Sequence, residues 1–114
     1  MTLKEKMQKN RDDNVKVTTE ELQDLIKQIK DKFYEMQEKD FTKKDFALYM
    51  TWNGSELILY EVWKKAEESK VLISKFMDDM ERKDILKKIA KYLEDDGANV
   101  ISLNNRLEIS IKLS

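Results

Sequence analysis

The C-terminal stretch, residues 84–114, constrains the fold more than any other part of the chain, because it reads as a helix, a stop and a hairpin in that order. Ile85, Leu86, Ile89, Ala90 and Leu93 recur at helical spacing and make one face apolar, with Lys87, Lys88 and Lys91 on the other. Asp95-Asp96-Gly97 ends the run, and Gly97 is free to take the left-handed conformation of a helix C-terminus. Leu107, Ile109, Ile111 and Leu113 then alternate with Arg106, Glu108, Ser110 and Lys112, the period of a half-buried strand. Asn99–Leu103 is its expected antiparallel partner. A three-residue loop of Asn104, Asn105 and Arg106 sets Leu103 against Leu107 and Ile101 against Ile109, so the apolar sides coincide; a two-residue loop would set Leu103 against Arg106.

At 114 residues the chain suits one domain with a modest core. Its 39% charged fraction is nearly balanced, 22 basic against 23 acidic residues, which points to a soluble, helix-rich protein with charged outer faces and argues against a strong field for nucleic acid. Cysteine and histidine are both absent, which excludes disulfides, Cys/His zinc sites, thiolate nucleophiles and histidine bases. No apolar run approaches membrane-spanning length and the first residues carry no apolar signal segment, so a cytoplasmic location is expected. There is no proline and glycine occurs only at Gly54 and Gly97, the two clearest break points.

Residues 1–17 read as a flexible N-terminal arm, although Thr2 and Glu5 could cap a short helix there. Thr18 and Glu21 form a capping box for a helix whose Leu22, Ile26, Ile29, Phe33 and Met36 fall on one seam, widened by Leu25. The seam packs on its own domain or serves dimerisation, and 18–54 is read as an N-terminal helical region on that basis. Residues 43–52 carry two signals: a helix start at Thr42 and Asp45, and a strand-like alternation of Phe46, Leu48, Met50 and Trp52 ahead of Asn53-Gly54. Ile58, Leu59, Val62, Trp63 and Ala66 share a helical face after Ser55, so 56–68 is expected to be helical.

Leu93-Glu94-Asp95-Asp96-Gly97, running into a hairpin with its tip at Asn104-Asn105-Arg106, resembles the back half of the winged helix-turn-helix superfamily, where a recognition helix ends in a similar pattern before a two-stranded wing. The resemblance covers 55–114, with 56–68 as first helix, Val71-Leu72-Ile73 as a short strand, and residues 75–80 as a second helix with Phe76, Met77 and Met80 pointing inward. Residues 42–61 also resemble an ordinary helix-turn-helix, with Ala47 at the close-packed position, but Glu56 and Glu61 would then face acidic DNA. The expected fold is mainly α with a C-terminal β-hairpin, an α+β winged-helix-like domain preceded by N-terminal helices.

The superfamily implies a DNA-binding protein acting as a dimer, a transcriptional regulator or a plasmid or phage accessory factor. Arg82, Lys83, Lys87, Lys88 and Lys91 would then meet phosphates, and Asn104, Asn105 and Arg106 would reach the duplex from the wing. The lysines equally suit a solvated helix face. The acidic pairs Asp78-Asp79 and Asp95-Asp96 read as hydrated surface and match no calcium-loop spacing, so no metal, cofactor or catalytic residue is assigned and the chain is not read as an enzyme. The alternative function is a non-enzymatic protein-binding inhibitor or adaptor.

Overall fold

The computed structural model of the protein describes residues 1–15, 17, 19–62 and 68–114, and of residues 12–15 the backbone alone. Its centre is Asp45–Asn53 (β1), where every second residue is buried: Phe46, Leu48, Met50 and Trp52. Asn53 pairs with Glu56 across Gly54 and Ser55, and the chain returns as Glu56–Glu61 (β2). Gly54 stands at φ 62, the positive φ that a primed two-residue hairpin turn demands. Lys70–Ser74 (β3) pairs with β2 through a bulge between Leu57 and Ile58. Asn99–Leu103 (β4) and Arg106–Lys112 (β5) form the C-terminal hairpin, and β5 joins the other side of β1. The result is one five-stranded antiparallel sheet of order β3-β2-β1-β5-β4.

Helices cover one face of this sheet. Thr19–Lys39 (α2) lays Leu25, Ile26, Ile29, Phe33 and Met36 into the core, and Asp79–Asp95 (α3) adds Ile85, Leu86, Ile89 and Leu93. They meet the inward side chains of β1 together with Leu57, Leu59, Ile73, Leu107 and Ile109. Asp78 caps α3 by accepting a hydrogen bond from the Glu81 N–H at 2.9 Å. Gly97, at φ 92, closes it: the Ala98 N–H donates to Leu93 and the Gly97 N–H to Glu94, the paired bonds of a Schellman ending. Leu3–Val15 (α1) precedes this body, with Thr2 Oγ1 accepting from the Glu5 N–H.

The expected fold, mainly α with a single C-terminal hairpin behind N-terminal helices, is overturned, while its α+β class stands. The strands are spread through the chain, and residues expected to be helical at 56–61 form β2, so the helix-turn-helix frame over 42–61 is a β-hairpin. The physical reason is that β2 is apolar on both sides: Leu57 and Leu59 enter the core while Ile58, on the opposite face, is also buried, and a strand buried twice loses its period of two. The rest of the expected helix, with Trp63 and Ala66, lies outside the described residues, as does Thr18 of the capping box. Residues 75–78 form no second helix. Of that segment only Met77 is buried; Phe76 and Met80 are 82% and 83% exposed.

The C-terminal hairpin forms, in a different register. Leu103 faces Arg106 and Ser102 faces Leu107, around a two-residue turn of Asn104 and Asn105. Asparagine is favoured in such turns, and β4 is an edge strand where matching every apolar residue to the covered face gains little. Only Val100 of β4 packs against the core, leaving Ile101 and Leu103 on the face away from the helices, 46% and 44% exposed.

Candidate functional site

Because α3 buries Ile85, Leu86, Ile89 and Leu93, the residues between them point away from the sheet, and Lys83, Lys87 and Lys91 come to lie in one row, a turn apart. The row borders a groove of about 930 Å³ that runs between α3 and the start of α2. Val17, Leu22, Met77, Ile85 and Tyr92 supply its apolar lining. Its carboxylates are occupied from within: Asp84 holds Lys88 at 3.0 Å, while Arg11 of α1 reaches Asp78 at 3.2 Å and Glu81 at 2.8 Å. Among the described residues Lys83, Lys87 and Lys91 have no ion-pair partner. The groove therefore offers a free cationic row beside an apolar lining.

The other residues singled out in the sequence divide into separate places. Arg82 packs its guanidinium 5.7 Å from the Trp52 ring centroid, and the Trp52 indole N–H donates to the Arg82 carbonyl at 3.3 Å. With its side chain only 21% exposed, Arg82 clamps α3 to the end of β1. Asn104 and Asn105 form the β4–β5 turn, where the Asn105 carbonyl accepts from the Trp52 N–H at 3.1 Å and from the Thr51 hydroxyl at 3.2 Å. Arg106 projects from the face of the sheet opposite α3, where it lies 4.9 Å from the Tyr49 ring centroid. The sheet thus separates Arg106 from the lysine row, and a wing flanking a recognition helix is not the arrangement found. Ile26, Ile29, Phe33 and Met36 are buried in this chain's own core, and Leu22 lines the groove.

The face of the sheet away from the helices is a second surface, part-exposed at Tyr49, Tyr60, Arg106 and Glu108 and buried at Ile58. Register places Tyr60, Tyr49, Glu108 and Ile101 in one row across β2, β1, β5 and β4, and Ile58, Thr51, Arg106 and Leu103 in the next. The Tyr49 and Tyr60 rings pack 5.5 Å apart. Sequence reasoning missed this surface. Its signal was the set of residues between the buried positions of 46–52, Ala47, Tyr49 and Thr51, which becomes legible only once that segment is known to be a strand. The apolar lining of the groove had no such signal, because it gathers residues from three separate segments.

Chemically both surfaces suit binding. Among the described residues no group of His, Cys, Asp or Glu side chains is placed to hold a metal, and no helix is long and apolar enough to cross a membrane. Among the described residues two groups, Asp40 and Lys30, are shifted from their ordinary values, and both serve structure. The Thr42 hydroxyl and backbone N–H donate to Asp40 and lower its pKa in the turn before β1. The hydrogen bond to Asp96 raises that of Lys30, tying α2 to the end of α3. Comparison of the chain with protein-family models, curated proteins and solved structures finds no match.

Proposed function

We propose that this chain is a non-enzymatic protein-binding module, an inhibitor or adaptor, which takes an acidic amphipathic helix of its partner into the groove along α3. The observation that carries the reading is the row Lys83, Lys87 and Lys91, free of ion pairs among the described residues, beside the apolar lining of Val17, Leu22, Met77, Ile85 and Tyr92. A helix with carboxylates one turn apart matches the spacing of the row, about 6 Å for four residues of rise. Its apolar face, at i, i+3 or i+4 and i+7, matches the lining. The groove carries more cationic than anionic side chains on a chain of net charge −1, so an acidic partner is steered to this side of the molecule.

The same free lysines support a second reading, contact with the phosphates of duplex DNA. It ranks below the first for two reasons. Asp78, Asp79 and Glu81 sit at the N-terminal end of α3, the end that reads bases in helix-turn-helix proteins, and Arg106 lies across the sheet. A titration separates the two readings. A synthetic acidic amphipathic helical peptide and a random duplex are each titrated against the wild type and against the triple variant Lys83→Ala, Lys87→Ala, Lys91→Ala. Saturable peptide binding that the variant loses, with no duplex binding at low salt, is the expected result. Duplex binding that falls steeply with salt, with no peptide binding, overturns it in favour of DNA.

A further inference from the structure

We infer that β4 pairs with the β4 of a second copy of this chain, joining two five-stranded sheets into one. β3 and β4 are the two edges of the sheet. An edge strand carries a row of unpaired N–H and C=O groups, and charged residues and bulges are what keep such rows from pairing. The β3 edge has both: it begins at Lys70, and its ladder with β2 skips Leu72. β4 has neither. Its register with β5 is regular, all its residues but Val100 are exposed, and residues 97–105 carry no charge in a chain that is 39% charged.

The hydrogen bonds of the neighbouring strand fix which groups of β4 are free. The Asn105 carbonyl accepts from the Trp52 N–H and the Leu113 N–H donates to the Lys44 carbonyl, so Leu107, Ile109 and Ile111 between them bond to β1. Successive residues of an antiparallel strand bond to alternate sides, so Arg106, Glu108 and Ser110 bond to β4 through Leu103, Ile101 and Asn99. The N–H and C=O of Val100 and Ser102 are left pointing out of the sheet edge.

These groups are symmetric about Ile101, and that identifies a second copy as the occupant. A twofold axis through Ile101, normal to the sheet, sets Val100 against the partner's Ser102, and each such pair exchanges both of its N–H···O bonds. Ile101 then meets the partner's Ile101 in a non-hydrogen-bonded pair, where opposite side chains are closest. Asn99 stands opposite the partner's Leu103. Ile101 and Leu103, 46% and 44% exposed in the single chain, cover one another on the face away from the helices. With no charge on β4, self-pairing sets no like charges together. The contact is isologous, so it closes at two copies. It is one strand about 17 Å long, too small for the roughly 800 Å² per copy of a standard interface, so the dimer is weak and depends on concentration.

Sedimentation over a series from micromolar to millimolar protein tests it. Wild type is expected to pass from the monomer mass toward twice that mass. Ser102→Pro removes an N–H that serves the partner and not β5, so the variant is expected to fold and to stay monomeric. Ile101→Lys and Ile101→Glu each set like charges directly opposite and are expected to weaken association by about tenfold or more. An equal mixture of these two variants puts opposite charges against each other and is expected to associate more strongly than either alone. Circular dichroism establishes that each variant is folded. A wild type that stays monomeric throughout overturns the inference, as does one whose mass continues past two copies. So does a dimer indifferent to Ser102→Pro, or a mixture that associates no better than its components. The groove along α3 takes no residue from β4, so peptide binding there stands or fails separately.

Discussion

Gly54 occupies the left-handed region at φ +62 with nothing within 4 Å of the position a Cβ would take. The cost of a side chain there is therefore one of backbone strain alone. Gly54→Ala should lower the unfolding free energy by about 1–2 kcal/mol, and Gly54→Asn by less, because asparagine tolerates this conformation. Denaturant titration of the two variants measures the difference. Asp40 makes a second prediction at this scale. Its carboxylate accepts from the Thr42 hydroxyl and N–H, so its folded pKa lies below the ordinary 3.8. A depressed carboxylate contributes stability that is present above the unfolded pKa and lost as pH falls through the folded one. The titration of its side-chain carbon by NMR should have its midpoint below 3.8 in the wild type and move up in Thr42→Val, which removes the larger of the two donors.

Among the elements, α2 and α3 were legible because each buries a single stripe. The spacing of Ile26, Ile29, Phe33 and Met36, and that of Ile85, Ile89 and Leu93, survives intact as the buried face. The glycine at the end of α3 and the strand character of β5 were equally plain. The central strands were not. β1 alternates cleanly, but helix-start residues stand at its head, and β2 carries Ile58 on its outer face as well as Leu57 and Leu59 on its inner one. Local pattern cannot distinguish a strand buried on both faces from a helix, because the burial of Ile58 depends on what surrounds it in space. The register of β4 failed for the opposite reason: turn chemistry at Asn104-Asn105 outweighed apolar matching on an edge strand. The candidate lysines were found from sequence, whereas their separation from Arg106 follows from the sheet running between them. The helix stripe predicts that Ile29→Ala, at a position with no solvent exposure, lowers stability by about 2–5 kcal/mol. Tyr34→Ala, on the exposed side of the same helix, should stay within about 0.5 kcal/mol. Thermal melts of the pair test whether α2 packs as described.

At the scale of the whole molecule, one sheet divides the surface in two. One side carries the helices and the lysine row; the other carries Tyr49, Tyr60, Ile101 and Leu103. A partner bound in the groove is held through cations exposed to solvent, so its affinity should fall as added salt screens them, while the apolar lining sustains a residual that salt does not remove. Replacing Lys83, Lys87 and Lys91 by Glu should abolish binding of an acidic peptide and leave the melting temperature nearly unchanged, since all three are exposed and without ion pairs among the described residues.

The most direct measurement is the map of amide shifts in isotope-labelled protein as the acidic amphipathic peptide is added. Shifts concentrated at Val17, Leu22, Met77 and the 83–92 stretch of α3, with Tyr49, Ile101 and Arg106 unmoved at fixed protein concentration, are the result the groove predicts. Shifts centred on the Asn104-Asn105 turn and Arg106, or none at saturating peptide, would contradict it.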